Sequence, residues 1–162
     1  MKARLTAPLL VLPLLAVLST PVFAQGTAHI AYRGWGVRVG GSSNPDQIYG
    51  GVHWDLGEFA RNVRFRPNVE IGVGDHVTTL QGNAEVHYVF SKVQVWKPYV
   101  GGSAGFIYAD PDHADSRTDL SVMGVGGVET KLKSATTFFI EAKAGLTNDD
   151  PDFKFGVGWT WK

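Results

Sequence analysis

The densest run of chemistry-bearing side chains is Asp110-Pro111-Asp112-His113-Ala114-Asp115-Ser116. An imidazole, a hydroxyl and several carboxylates in one stretch are the ingredients of nucleophilic catalysis. That chemistry needs the hydroxyl within hydrogen-bond reach of the imidazole and a carboxylate orienting the ring. Neighbourhood in a turn-rich segment does not supply this geometry. His53, Asp55 and His87 are a second candidate group. With no nucleophile beside them they read as members of a polar network, and no residue is assigned a catalytic role. Asp110, Asp112, Asp115 and Asp119, with Asn148, Asp149 and Asp150, offer hard oxygen ligands of the kind Ca²⁺ takes. Their spacing fits no EF-hand loop, because Ser116 stands where that loop needs Gly. They read as solvated turns, and no metal or cofactor is assigned.

A larger set of ionisable residues shares one face of an alternating pattern. Arg38, Arg64, Arg66, Lys131, Lys143 and Lys154 stand against Asp55, Glu70, Glu85, Glu129 and Glu141. Such groups are tolerated inside a fold only when paired and hydrogen-bonded. An ion path would favour one sign; near-balance favours a charge-paired filling. Loss of a single carboxylate, as in Glu70→Ala or Glu141→Ala, is expected to destabilise the fold without opening a pore.

The elements that must position these residues are strands. Eight are predicted, near 28–40, 47–57, 63–74, 77–90, 97–109, 119–132, 137–147 and 152–162. In the third, Val63, Phe65, Pro67, Val69, Ile71 and Val73 alternate with Arg64, Arg66, Asn68, Glu70, Gly72 and Gly74. In the fourth, Leu80, Ala84, Val86, Tyr88 and Phe90 alternate with Gln81, Asn83, Glu85 and His87. In the seventh, Phe138, Ile140, Ala142, Ala144 and Leu146 alternate with Glu141, Lys143 and Gly145. Period-two alternation means that one face meets an apolar phase.

Alternation alone does not say which face is inside. A soluble barrel turns apolar side chains inward; a membrane barrel turns them outward. The polar face carries Gly34, Gly36, Gly72, Gly74, Gly101, Gly105, Gly156 and Gly158, which suits the narrow lumen of a small barrel better than a solvent face. Aromatics gather at strand ends. Tyr88, Phe90, Tyr99, Phe138, Trp159 and Trp161 are expected at one rim, and Phe106, Tyr108 and Phe153 at the other, as interfacial girdles require. An even strand number puts both termini at one end. The connections 41–46, 75–76, 110–118 and 148–151 then share the opposite, outer end.

Residues 1–24 read as a cleaved secretory signal peptide. Lys2 and Arg4 precede the apolar run Pro8–Ser19, and Val22-Phe23-Ala24 forms a small-residue cleavage site. The run is too short for a spanning helix. The expected domain is 25–162, a barrel alone, with 13 basic and 15 acidic side chains once Lys2 and Arg4 are removed. No basic patch suggests nucleic acid as a partner. Without Cys, no disulfide or lipid-acylated cysteine is available.

The final strand, Lys154-Phe-Gly156-Val-Gly-Trp159-Thr-Trp161-Lys162, places Lys154, Gly156, Trp159 and Trp161 in a polar, glycine, aromatic, aromatic spacing. This resembles the C-terminal assembly signal of bacterial outer-membrane proteins, with one residue, Lys162, added after the aromatic. With eight alternating strands, the chain resembles the small outer-membrane β-barrel family, the OmpA/OmpX-like and opacity-type barrels. The resemblance implies an all-β, eight-stranded antiparallel up-and-down transmembrane barrel in the cell outer membrane. It implies a structural or surface-interaction role without enzymatic activity. Implied partners are outer-membrane lipid and lipopolysaccharide, the barrel assembly machinery and periplasmic chaperones, with the protein itself a monomer. Divalent ions held by the acidic loops would then bridge lipopolysaccharide phosphates. Two alternatives remain. One is a lipid A-modifying enzyme, although the deacylase-like His-x-Ser pattern on a strand is absent. The other is a soluble, lipocalin-like periplasmic ligand-binding barrel.

Overall fold

A computed structural model describes residues 29–162 apart from 75, 93, 94, 113, 114, 133 and 134. The expected signal peptide, Asp75 and His113 lie outside the described residues. Eight strands follow in chain order: β1 (His29–Ser43), β2 (Gln47–Ala60), β3 (Val63–Gly74), β4 (Val77–Val89), β5 (Lys97–Pro111), β6 (Arg117–Lys131), β7 (Thr136–Gly145) and β8 (Phe153–Trp161). Each pairs antiparallel with its sequence neighbour, and β1 pairs with β8, so the sheet closes. Closure removes both edges and satisfies the ladder all the way round. The fold is therefore all-β, an eight-stranded antiparallel barrel as expected. The strands β1, β5 and β6 extend further than predicted, which shortens the connections between β1 and β2 and between β5 and β6.

The side-chain alternation runs unbroken through most of the wall. In β4 it is strict: Thr79, Gln81, Asn83, Glu85, His87 and Val89 are buried, whereas Thr78, Leu80, Gly82, Ala84, Val86 and Tyr88 are exposed. The buried set is mostly polar and charged; Ile48, Val52, Val69, Ile71, Val73, Leu80, Val100, Phe106, Leu120 and Phe155 are exposed on the outer wall. The barrel is thus inverted relative to a water-soluble one. The predicted inward glycines leave room for their neighbours. A Cβ on Gly36 would collide with the His53 ring and the Trp159 carbonyl, and one on Gly158 would enter the Phe139 ring.

Two local irregularities shape the end that carries the C-terminus, the near end. Pairing of β2 with β3 shifts between His53 and Glu58. There Gly57 adopts φ 80°, a left-handed conformation that glycine takes without a Cβ penalty, and its N–H donates to Asp55 Oδ1 at 3.0 Å. The adjoining two-residue turn places Asn62 at φ 63°, a region Asn tolerates better than most residues.

Aromatics cluster on the outer wall at the near end. Trp35 and Trp161 lie 5.1 Å apart, Phe138 and Trp159 5.4 Å, and Tyr88 and Phe90 5.1 Å between ring centroids. Tyr99 corrects the expected rim: it is 1% exposed and faces the lumen. Its position in β5, two residues before Gly101 and four before Ser103, gives it inward parity.

Candidate functional site

The lumen gathers the ionisable residues, and strand register decides which of them meet. Its centre is built on Arg38 of β1. Arg38 Nη1 donates to Glu70 Oε1 at 3.1 Å, Glu85 Oε1 at 3.0 Å and Glu141 Oε1 at 3.0 Å, and Nη2 donates to Glu85 Oε2 at 3.2 Å. Four strands, β1, β3, β4 and β7, are thereby tied through one guanidinium. Lys143 donates to Glu70 at 2.9 Å and also to Glu85. Lys154 bonds Glu70, donates to Gln81 Oε1 at 3.1 Å and lies over the Tyr49 ring at 4.2 Å. Tyr99 closes the cluster by donating its hydroxyl to Glu141 Oε2 at 2.8 Å. Three cations face three carboxylates, the compensation that buried charge requires.

A second cluster lies toward the near end. Arg64 grips Glu129 with two parallel bonds of 2.7 and 3.1 Å, the planar fork that favours Arg over Lys. Asp55 receives Lys162 at 3.4 Å and Arg64 at 4.0 Å. The residue added after the C-terminal aromatic therefore folds back into the near mouth as a counter-charge.

Arg66 separates the two clusters and differs from both. It is 0% exposed, donates only from Nη2 to Thr160 Oγ1 at 3.1 Å and stands over the Phe139 ring at 4.9 Å. Its Nε and Nη1 have no hydrogen-bond partner among the described residues. Phe139 also lies edge-on to His53, with centroids 5.4 Å apart. Burial gives this Arg a cation–π contact in place of an ion pair.

Of the sequence-predicted network, Arg38, Asp55, Arg64, Arg66, Glu70, Glu85, Glu129, Glu141, Lys143 and Lys154 all face the lumen. Lys131 does not join them. It has inward parity, but it is the last residue of β6 and is exposed at the near mouth. In the C-terminal motif, Lys154 and Gly156 are buried inward and Trp161 is exposed on the wall. Sequence reading missed three inward aromatics, Tyr49, Tyr99 and Phe139. The alternation of Glu141 and Lys143 signals Phe139, two residues earlier on the same face.

The arrangement offers no assembled nucleophile. His53 Nε2 pairs with Thr160 Oγ1 at 2.8 Å, but among the described residues His53 Nδ1 has no partner to orient it. Asp55 is committed to the near-end cluster, and His87 stacks on Tyr99 at 4.8 Å. Each of the three is held by a different partner. Glu85, His87 and Glu141 each present a ligand atom within 4.8 Å of the others. Arg38 and Lys143 each pair with both Glu85 and Glu141, so these carboxylates already face two cations. At the start of β6 and the connections beside it, Arg117 bonds Asp119 at 3.1 Å and Asp149 at 3.3 Å, and Asp112 lies 3.5 Å from His76. The acidic residues thus divide among different partners.

No known family model matches the chain, and no curated protein matches it. Solved structures do. The chain is similar to Neisserial surface protein A (NspA), with a TM-score of 0.62 and 12% identity over 80% of this chain and 94% of that one. It is also similar to the N-terminal β-barrel domain of Pseudomonas aeruginosa OprF, with a TM-score of 0.52 and 12% identity over 80% of this chain and 96% of that one. At these identities the likeness is one of fold: a small eight-stranded barrel of the kind outer-membrane proteins use.

Proposed function

We propose that this chain is an integral outer-membrane β-barrel protein, exported through the periplasm, with a structural or surface-interaction role and a lumen plugged by paired charges. The inversion of the barrel carries this reading. Arg38, Arg66, Glu70, Glu85 and Lys143 are 0–3% exposed inside the cylinder, while Ile48, Val73, Phe106 and Leu120 are 55–73% exposed outside it. In water such a continuous apolar wall would far exceed the few hundred Å² that a soluble monomer tolerates. In hydrocarbon it is the favourable surface, and a closed ladder leaves no backbone group unsatisfied. NspA, to which the fold is similar, is a surface protein, which agrees in kind.

The interior supports a plug. Eight strands enclose a space just wide enough for side chains to fill, and the central six ionisable groups bond one another. A non-enzymatic role fits the enclosed histidines: His53 meets the Thr160 hydroxyl, but among the described residues no carboxylate orients its ring. Outer-membrane lipid and lipopolysaccharide would surround the wall, and the assembly machinery and periplasmic chaperones would act on Lys154, Gly156, Trp159 and Trp161. The functional protein is expected as a monomer.

Fractionation with carbonate extraction, followed by heat-modifiable gel migration, tests the location. Retention in the membrane pellet and a folded band that shifts on boiling are expected. Release into the supernatant would contradict the reading and favour a soluble barrel. In planar bilayers the plug predicts no large conductance step. Mass spectrometry of lipid A with and without the protein is expected to show no change; a new acylation state would replace this reading with an enzymatic one.

A further inference from the structure

At the near end, a groove opens on the outer wall. Its volume is about 620 Å³, within the range of roughly 300–1,000 Å³ typical of ligand pockets. Arg61 and Asn62 line it from the β2–β3 turn, Tyr88 from β4, and Phe90, Ser91 and Lys92 from the β4–β5 connection. The backbone ties its sides together. The Val89 N–H donates to the Asn62 carbonyl at 2.9 Å, and the Phe90 N–H donates to the Pro98 carbonyl at 2.9 Å. Tyr88 and Phe90 meet edge to face, with ring planes at 85°, and both rings are exposed. Val86, two residues before Tyr88 on the same face, continues the apolar wall away from the rim.

The lining holds two cations and no acidic side chain. Arg61 and Lys92 are exposed, and neither has an ion pair among the described residues. Glu58, at the same end of β2, accepts from the Asn62 N–H at 3.4 Å and stands opposite Arg64 in the register. The asymmetry extends to the whole barrel. Arg33, Lys97 and Lys131 also stand at the near end, whereas Asp46, Asp110, Asp112, Asp149 and Asp152 stand at the opposite end. Cations beside exposed aromatic rings at a hydrocarbon boundary favour an anion that brings apolar chains of its own.

We propose that this groove binds the headgroup of an anionic phospholipid, with the phosphodiester between Arg61 and Lys92 and the acyl chains along Phe90, Tyr88 and Val86. The inference rests on the membrane-embedded reading given above. Arg61 offers a planar fork that matches phosphate oxygens, and Lys92 offers a compact point charge. The Asn62 amide and the Ser91 hydroxyl supply neutral donors for the polar part of the headgroup. A zwitterionic headgroup brings an ammonium, for which the lining has no carboxylate. A soluble phosphate ester lacks the chains that would cover the two rings. Net negative charge and acyl chains are therefore both needed.

The test places the full chain in phosphatidylcholine nanodiscs that contain a rising fraction of phosphatidylglycerol, with the Asn62 and Ser91 amide signals followed by NMR. Saturable movement of both signals is expected with phosphatidylglycerol and not with phosphatidylethanolamine. Arg61→Gln combined with Lys92→Gln changes two exposed positions outside the strands. It is expected to raise the midpoint at least about tenfold, since each cation near a lipid surface contributes roughly fivefold. Arg33→Gln combined with Lys131→Gln removes the same charge from the same end but outside the groove. It is expected to raise the midpoint less than about threefold, because salt screens distant charges. Equal effects of the two pairs would overturn the proposal by assigning the preference to a diffuse field. An equal response to phosphatidylethanolamine, or to soluble glycerol 3-phosphate at matched phosphate concentration, would overturn it as well. A chain that does not enter the nanodisc would overturn the membrane reading together with this one. Entry without a preference for phosphatidylglycerol would overturn this inference alone.

Discussion

Replacing Arg38 with Met removes one positive charge from an enclosed group of six and leaves nearly the same aliphatic volume. Lys143 and Lys154 would then face Glu70, Glu85 and Glu141, two cations against three carboxylates. Glu85 and Glu141 each lose a bond of 3.0 Å, Glu70 loses one of 3.1 Å, and Glu85 loses a second of 3.2 Å. Removing one partner from a buried ion pair typically costs about 3–5 kcal/mol, because the other charge remains uncompensated. The double variant Arg38→Met, Glu85→Gln restores the balance and is expected to recover at least half of that loss, a coupling that a double-mutant cycle isolates. Urea unfolding in lipid vesicles, followed through the five Trp residues, measures both variants. The midpoint is expected to fall while the denaturant slope holds. A loss below about 1 kcal/mol for Arg38→Met, or a double variant no more stable than the single, would refute the charge-balance argument.

Other expectations follow from neighbouring features. Arg66→Met removes a cation that has one hydrogen bond and no ion pair among the described residues, so its cost in the same assay is expected to stay under about 1 kcal/mol, and it can be stabilising. Tyr99→Phe strips a donor from Glu141 Oε2 and is expected to cost about 1–3 kcal/mol by leaving a buried acceptor unmatched. Gly36→Val is expected to prevent the heat-modifiable fold, since its Cβ meets His53 and the Trp159 carbonyl, whereas Gly124→Val, with nothing within 4 Å of its Cβ, is expected to fold normally on gels.

The sequence made the wall legible because alternation is a local property. Each of Arg64, Arg66, Asn68 and Glu70 shows its face through its immediate neighbours, and the closed barrel follows once eight such strands are counted. Partnership inside the lumen was not legible. Lys154 and Glu70 are 84 residues apart in the chain, and only the accumulated stagger of the strands brings them together. Tyr99 misled because an aromatic near a strand end looks interfacial, and the neighbouring Gly101-Gly102 pair gives no hydrophobic contrast from which to read parity. Lys131 has the correct parity but stands where β6 leaves the cylinder, so alternation overstates its enclosure. Asp150 gave no signal at all. It lies in a connection, and its burial comes from anchoring to the Val122 N–H of β6 rather than from any sequence period.

Spin labels introduced one at a time test the inverted wall most directly. In lipid bilayers, labels replacing Val69, Ile140 and Trp159 are expected to collide freely with dissolved oxygen and to be shielded from a water-soluble nickel reagent. Labels replacing Arg66, Glu70 and Lys143 are expected to be shielded from both. Nickel-reagent access at Val69, Ile140 and Trp159 equal to that of a label in bulk water would mean that hydrocarbon does not surround the barrel.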